Sequence, residues 1–139
     1  MQYLLDTNIC IYLSRGAHPS VMRKFATLSR GDAAISSLTL AELTVGLELA
    51  GVAAARESYL LGAVLERVPS LPFDDPAARS YARLTAGLPA PERRRNVIDR
   101  MIAAHALSLD VTLVTNNERD FVAYAEAGGL RVENWVAGW

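Results

Sequence analysis

Cysteine is almost absent from this chain. Cys10 stands alone, so no disulfide can form within the chain and no cysteine-based metal site can be built. Its place in the apolar run at 9–13 predicts a small buried hydrophobe. Lysine is equally scarce: of 14 basic residues only Lys24 is a lysine. The arginine bias reads first as genomic base composition, although arginine forks also suit phosphate and carboxylate partners. Histidine is limited to His18 and His105. Charge of one sign is missing too. At a net charge of −1 no global positive field advertises nucleic acid, while a local basic patch stays open. No apolar run is long enough to span a bilayer. Residues 1–6 lack the basic region of a signal peptide and reach a carboxylate at once. Together these absences predict a protein of the reducing cytoplasm that makes no membrane contact.

What is present is enough apolar material for a sizeable core. The 139 residues are 51% hydrophobic and 21% charged, a composition and length suited to one domain, here 1–139. Strand and helix patterns alternate along it. A short buried strand at 2–5 precedes a helix at 7–14, ended near Gly16. Pro19 opens a helix to about Arg30. A strand at 33–35 leads through Ser36 and Ser37 into a helix at 38–49, with Leu40, Leu43 and Leu47 at helical spacing. A helix at 53–67 follows, with Tyr59, Leu60, Val64 and Val68 as its expected stripe. An extended piece at 70–73 and a helix at 74–86 come next. The segment 87–96, GLPAPERRRN, reads as the least ordered. Then come a helix at 97–109, a strand at 112–115, a short helix to about Ala125, and a last strand at 130–135. This alternation predicts an α/β fold, a central mostly parallel sheet with helices on both faces.

In such sheets sites collect at the carboxyl ends of the strands. Acidic or amide residues follow three of those ends. Asp6 comes directly after the first strand. Glu42 lies in the first turns of the helix after Ile35. Asn116, Asn117 and Asp120 follow Val114. Asp99 sits in the first turn of the helix that leads into the 112–115 strand. On that helix it shares a face with Ile102, Ala103 and Ala106, an apolar stripe on which a carboxylate needs a partner. Each acid also has a structural reading. Asp6 suits an N-cap, Thr39 to Glu42 form a capping-box pattern, Asp99 suits a helix macrodipole, and residues 117–120 suit turn chemistry. Convergence on one sheet edge favours chemistry. Clustered carboxylates raise one another's pKa unless a cation neutralises them. Oxygen ligands without a histidine or cysteine cluster select Mg²⁺ or Mn²⁺. Such an ion can activate a water and stabilise charge on a phosphate.

Four stretches, LLDTNI at 4–9, SLTLAELTVGL at 37–47, DRMIAAHAL at 99–107 and LVTNNERDF at 113–121, together resemble the PIN domain. The ending VENW at 132–135 is similar to VapC-type toxins of bacterial toxin–antitoxin pairs. The resemblance covers essentially the whole chain, with the motifs in the family's order. It implies a metal-dependent endoribonuclease toxin with a cognate antitoxin whose peptide occupies the active-site groove, and a toxin homodimer. Carried over by motif, Asp6 and Asp99 are the main Mg²⁺ ligands, Glu42 the third acid and Asp120 the fourth. Asn116 or Asn117 would position water or phosphate. Asn117 stands where many relatives carry an acid, and the stretch before Asp99 lacks a glycine that relatives often have.

Arg93, Arg94 and Arg95 lie just before the Asp99 helix. They are candidates for RNA phosphates, with a solvated loop as the alternative. Thr7 is a candidate for a ligand or phosphate contact, or for helix capping. His105 reads as structural or surface, His18 as loop, and Tyr12, Tyr59, Trp135 and Trp139 as core or interface. A competing reading is a catalytically silent module whose acidic pocket only holds a partner's arginine. A phosphohydrolase or receiver-type domain would want a lysine at the site, and nothing places Lys24 there.

Overall fold

The computed structural model describes residues 1–136; Trp139, expected as core or interface, lies outside them. The strands are β1 (Tyr3–Leu5), β2 (Ala33–Ser36), β3 (Ser70–Leu71), β4 (Thr112–Val114) and β5 (Val132–Glu133). The helices are α1 (Thr7–Arg15), α2 (Pro19–Ala26), α3 (Ser37–Leu49), α4 (Ala54–Leu65), α5 (Asp75–Ala86), α6 (Val97–Leu109) and α7 (Val122–Gly128). The sheet order is β3-β2-β1-β4-β5, and every pairing is parallel. The expected α/β architecture is therefore the observed one.

Side chains alternate across each strand, and here both faces are covered. Tyr3, Leu5, Ala33, Ile35 and Val114 point to one layer, with Ile9, Cys10 and Leu13 of α1, Val21 of α2, Leu43 of α3, and Leu61 and Val64 of α4. Leu4, Ala34 and Leu113 point to the other, with Leu84 of α5, Ile102, Ala103 and Ala106 of α6, and Tyr124 of α7. Strands buried on both faces read as continuous apolar runs, as Tyr3-Leu4-Leu5 does. The alanines of α6 let that helix sit close to the sheet.

Several expectations need correction. The second helix ends at Ala26, not near Arg30. The Thr27 hydroxyl donates to Lys24 O at 2.6 Å and the Asp32 carboxylate accepts from Ser29 N at 2.8 Å. With Gly31 at φ +86°, these local bonds build a turn that hands the chain to β2. Tyr59 is not on the buried stripe of its helix but 79% exposed. Leu61, Val64 and Val68 are buried instead, and a residue two positions before Leu61 points away from that face. The last strand is confined to Val132–Glu133. Segment 87–96 is not loose: Ala90–Arg94 forms a 3₁₀ turn, and buried Arg100 organises it.

Candidate active site

Register brings the acids together. Leu5 pairs with Val114, and Asp6 N donates to Val114 O at 2.9 Å. The β1–β4 ladder thus runs one residue past both strands and sets Asp6 beside Thr115. Asp6 is buried. One carboxylate oxygen accepts from Thr7 N at 2.8 Å and the other from the Thr115 hydroxyl at 2.9 Å. Asp6 occupies the N-cap of α1 with extended backbone. Within α1, however, its side chain accepts only from the adjacent N–H, whereas a capping side chain usually reaches one two or three residues on. Burial pushes its carboxyl pKa up, the bonds from Thr7 and Thr115 pull it down, and Glu42 and Asp120 push it up again.

Glu42 is exposed on α3 and accepts from the Thr7 hydroxyl at 2.7 Å. The capping-box reading of Thr39 and Glu42 does not hold. Ser36 is the N-cap of α3, accepting from Leu38 N. Thr39 is buried, and its hydroxyl has no partner among the described residues. Thr7 therefore links Asp6, through its backbone, to Glu42, through its hydroxyl.

Asp99 is partly buried on the first turn of α6, above buried Ile102, Ala103 and Ala106. Its carboxylate has no hydrogen-bond or ion-pair partner among the described residues. Its pKa is pushed up to about 6, first by burial and then by the charges of Asp6, Asp120 and Glu42. Among the described residues no basic group offsets them. Asp120 accepts from the Asn117 side-chain amide, and Asn117 N donates to the Thr115 hydroxyl at 3.0 Å. Asn116 donates to the Tyr12 hydroxyl at 3.3 Å and accepts from Asn134.

The four acids thus feel one another across the carboxyl edge of β1 and β4. Among the described residues no three His, Cys, Asp or Glu side chains close in tightly enough to hold an ion unaided. The donor set still fits a hard dication. Magnesium takes one or two carboxylates, keeps waters and uses substrate phosphate oxygens. An unpartnered carboxylate among like charges is the kind of ligand such an ion relieves.

The arginines are handled differently. Arg93 Nε donates to Leu88 O at 3.0 Å, and Arg95 lies 3.8 Å from Glu92 with both side chains exposed. Arg94 is exposed, with no partner among the described residues. His105 is buried and structural, its Nδ1 2.9 Å from the Ser36 hydroxyl. Lys24 lies over the Tyr3 ring. Trp135 is buried edge-on to Tyr3. His18 packs edge-on against Tyr12 at the start of α2.

Residue type alone marks neither Thr115 as a site residue nor Arg100 as a buried one. A hydroxyl residue one past a strand, opposite an aspartate one past its neighbour, is a signal for the first. No sequence pattern marks the second.

Comparison with known proteins places this geometry. The PIN domain family matches residues 3–127. The tRNA(fMet)-specific endonuclease VapC of Shigella flexneri is 37% identical over 135 residues, covering 97% of this chain and 98% of that protein. Ribonuclease VapC2 of Haemophilus influenzae is 32% identical over 136 residues, covering 98% and 99%. The crystal structure of VapBC2 from Rickettsia felis bound to a DNA fragment from their promoter contains a chain with a TM-score of 0.82. That chain is 30% identical, with 97% of this chain and 99% of that one covered. The chain belongs to the PIN-domain family, within its VapC ribonuclease branch.

Proposed function

We propose that the protein is the toxin of a VapBC-type pair, a Mg²⁺-dependent endoribonuclease hydrolysing RNA phosphodiester bonds. The observation that carries this is Asp99: a partly buried carboxylate that, among the described residues, has no partner and feels three other acids and no cationic side chain. Asp99 and Asp6 would hold the ion, with Glu42 and Asp120 beside it. Bound there, Mg²⁺, or Mn²⁺ in its place, supplies Lewis acidity toward the scissile phosphate and lowers the pKa of the attacking water. The protein's own part is to fix the acids. Thr115 and Thr7 N orient the Asp6 carboxylate, the Thr7 hydroxyl holds Glu42, and Asn117 holds Asp120. Arg94, exposed and without a partner among the described residues, would meet an RNA phosphate.

The relatives' names support an RNA substrate and an antitoxin partner. A groove of about 280 Å³, lined by Ile11, Leu43, Leu47 and Leu61, has Glu42 on its wall. It suits an apolar antitoxin segment with an arginine reaching the acids. Exposed Val45, Leu49 and Val52 offer apolar surface for the toxin homodimer. The test is cleavage of transfer, ribosomal and messenger RNA by the purified toxin, wild type against Asp6→Ala and Asp99→Ala, with Mg²⁺ and with chelator. Cleavage lost in both variants and in chelator is expected. Equal cleavage by all three proteins refutes it. No cleavage together with no Mg²⁺ or Mn²⁺ response at Asp6 and Asp99 would restore the silent, arginine-holding module.

A further inference from the structure

Arg100 is wholly buried and has no carboxylate partner among the described residues. Burying a charge without a counter-ion is costly unless every donor is satisfied. Here every donor is. A guanidinium has five N–H groups. Nε donates to the Thr85 hydroxyl at 3.0 Å. Nη1 donates to Glu92 O at 3.1 Å and Arg95 O at 2.8 Å. Nη2 donates to the Tyr81 hydroxyl at 3.2 Å and to Arg93 O. The group also lies 5.2 Å from the Tyr81 ring centroid.

Three of those five acceptors are backbone carbonyls of Glu92, Arg93 and Arg95. They belong to the 3₁₀ turn Ala90–Arg94 and the residue after it. Glu92 O also accepts from Arg95 N at 3.2 Å. Carbonyls at the end of a helical turn lack intrahelical donors, and for Arg93 O and Arg95 O Arg100 supplies them. The other two acceptors sit on α5, which packs against α6 in the core. Asp99 is the residue immediately before Arg100, on the same first turn. A lysine here could not reach five acceptors in a plane.

We infer that Arg100 is a positioning residue that folds segment 90–95 against α5 and α6 and so presents Arg94 and Arg95 to RNA beside Asp99. This rests on the ribonuclease reading above. The side chain itself meets no RNA, because it is buried; it acts through the backbone that carries its neighbours. The sequence ERRRNVIDR thus divides its arginines, with Arg100 turned inward so that Arg94 can face outward.

The experiment measures RNA-oligonucleotide cleavage in Mg²⁺ by wild type, Arg100→Lys, the double variant Arg94→Ala/Arg95→Ala, and the triple combination. In Arg100→Lys, KM should rise about tenfold while kcat stays within about threefold. The salt dependence of log KM should flatten by about one phosphate contact, roughly 0.7 in slope for a single strand. Amide exchange should quicken at 92–95 and not at 3–5 or 112–114. In the Arg94→Ala/Arg95→Ala background, Arg100→Lys should change nothing further. Should Arg100→Lys fail to fold, Tyr81→Phe and Thr85→Val each remove one acceptor and should raise KM about threefold. An unchanged KM in the foldable variants, a fall in kcat alone, or full multiplication of effects in the triple variant overturns the inference. No Asp99-dependent cleavage by wild type overturns the reading beneath it, and this inference with it. Normal wild-type cleavage with unaltered Arg100→Lys kinetics overturns this inference alone.

Discussion

Replacing Asp99 by asparagine should stabilise the protein while abolishing its activity. Asp99 titrates at about 6 in the folded chain against about 3.9 unfolded. A folded-state pKa raised in this way favours folding fully below about pH 4, and that contribution is lost as pH rises through 6. Full expression of the shift would amount to roughly 3 kcal/mol. Partial burial and solvent screening reduce that to roughly 1.5–2 kcal/mol. Asparagine keeps the shape and carries no charge, so Asp99→Asn should recover this amount above pH 6. For 139 residues the unfolding entropy is about 0.3 kcal/mol/K, so the gain is about 5–7 °C in Tm. The assay is thermal unfolding by circular dichroism from pH 4 to 8 in chelator. The two curves should separate above pH 6 and converge near pH 4. Adding Mn²⁺ or Mg²⁺ should raise the wild type and narrow the gap, because an ion bound only to the folded state stabilises it. A variant no more stable than wild type at pH 7.5, or an offset that does not vary with pH, would refute the electrostatic account of the site.

Other outcomes follow from single contacts. Thr115→Val removes the donor to buried Asp6 and should cost roughly 1.5–3 kcal/mol at neutral pH, with cleavage down at least tenfold. Thr115→Ser should restore both in denaturant titration and RNA assay. Thr7→Val frees Glu42 at an exposed position, so stability should move by less than about 0.5 kcal/mol while cleavage falls several-fold. Gly128→Ala would put a Cβ 2.9 Å from Leu84 Cδ1 and 3.2 Å from Leu107 Cδ1. Both are ends of flexible leucines, so the cost should be about 1 kcal/mol, read as a Tm drop with RNA cleavage unchanged.

The elements legible in the sequence were those whose pattern is local. The 97–109 helix has the bounds its apolar spacing predicts, because Asp99, Ile102, Ala103 and Ala106 recur at a helix's own period. The strands at Tyr3–Leu5 and Thr112–Val114 were equally plain, being short apolar runs that stop at polar residues. The α2 end was misplaced because hydroxyl and carboxylate bonds at Thr27 and Asp32 compete with helix continuation, and propensity does not weigh such bonds. Tyr59 was misassigned because the phase of α4 is fixed by what it packs on, not by which of its residues are apolar. Segment 87–96 looked loose because its organiser, Arg100, lies outside it and reads as one more surface arginine.

Asp6 shows the division most clearly. Its position after an apolar strand and before a helix is local, and the residues around it declare it. Whether its carboxylate is a cap or part of a site depends on what stands opposite, and that is set by the parallel register of β1 with β4 across more than a hundred residues. The sequence alone determined the alternation of strands and helices, the apolar face beneath Asp99 and the family pattern, since each is written in short-range spacing. Tertiary structure decided that Thr115 donates to Asp6, that Glu42 answers to Thr7, that nothing among the described residues answers to Asp99, and that Arg100 turns inward. Hydrogen bonds and desolvation depend on distance in space, and only the folded chain sets that distance.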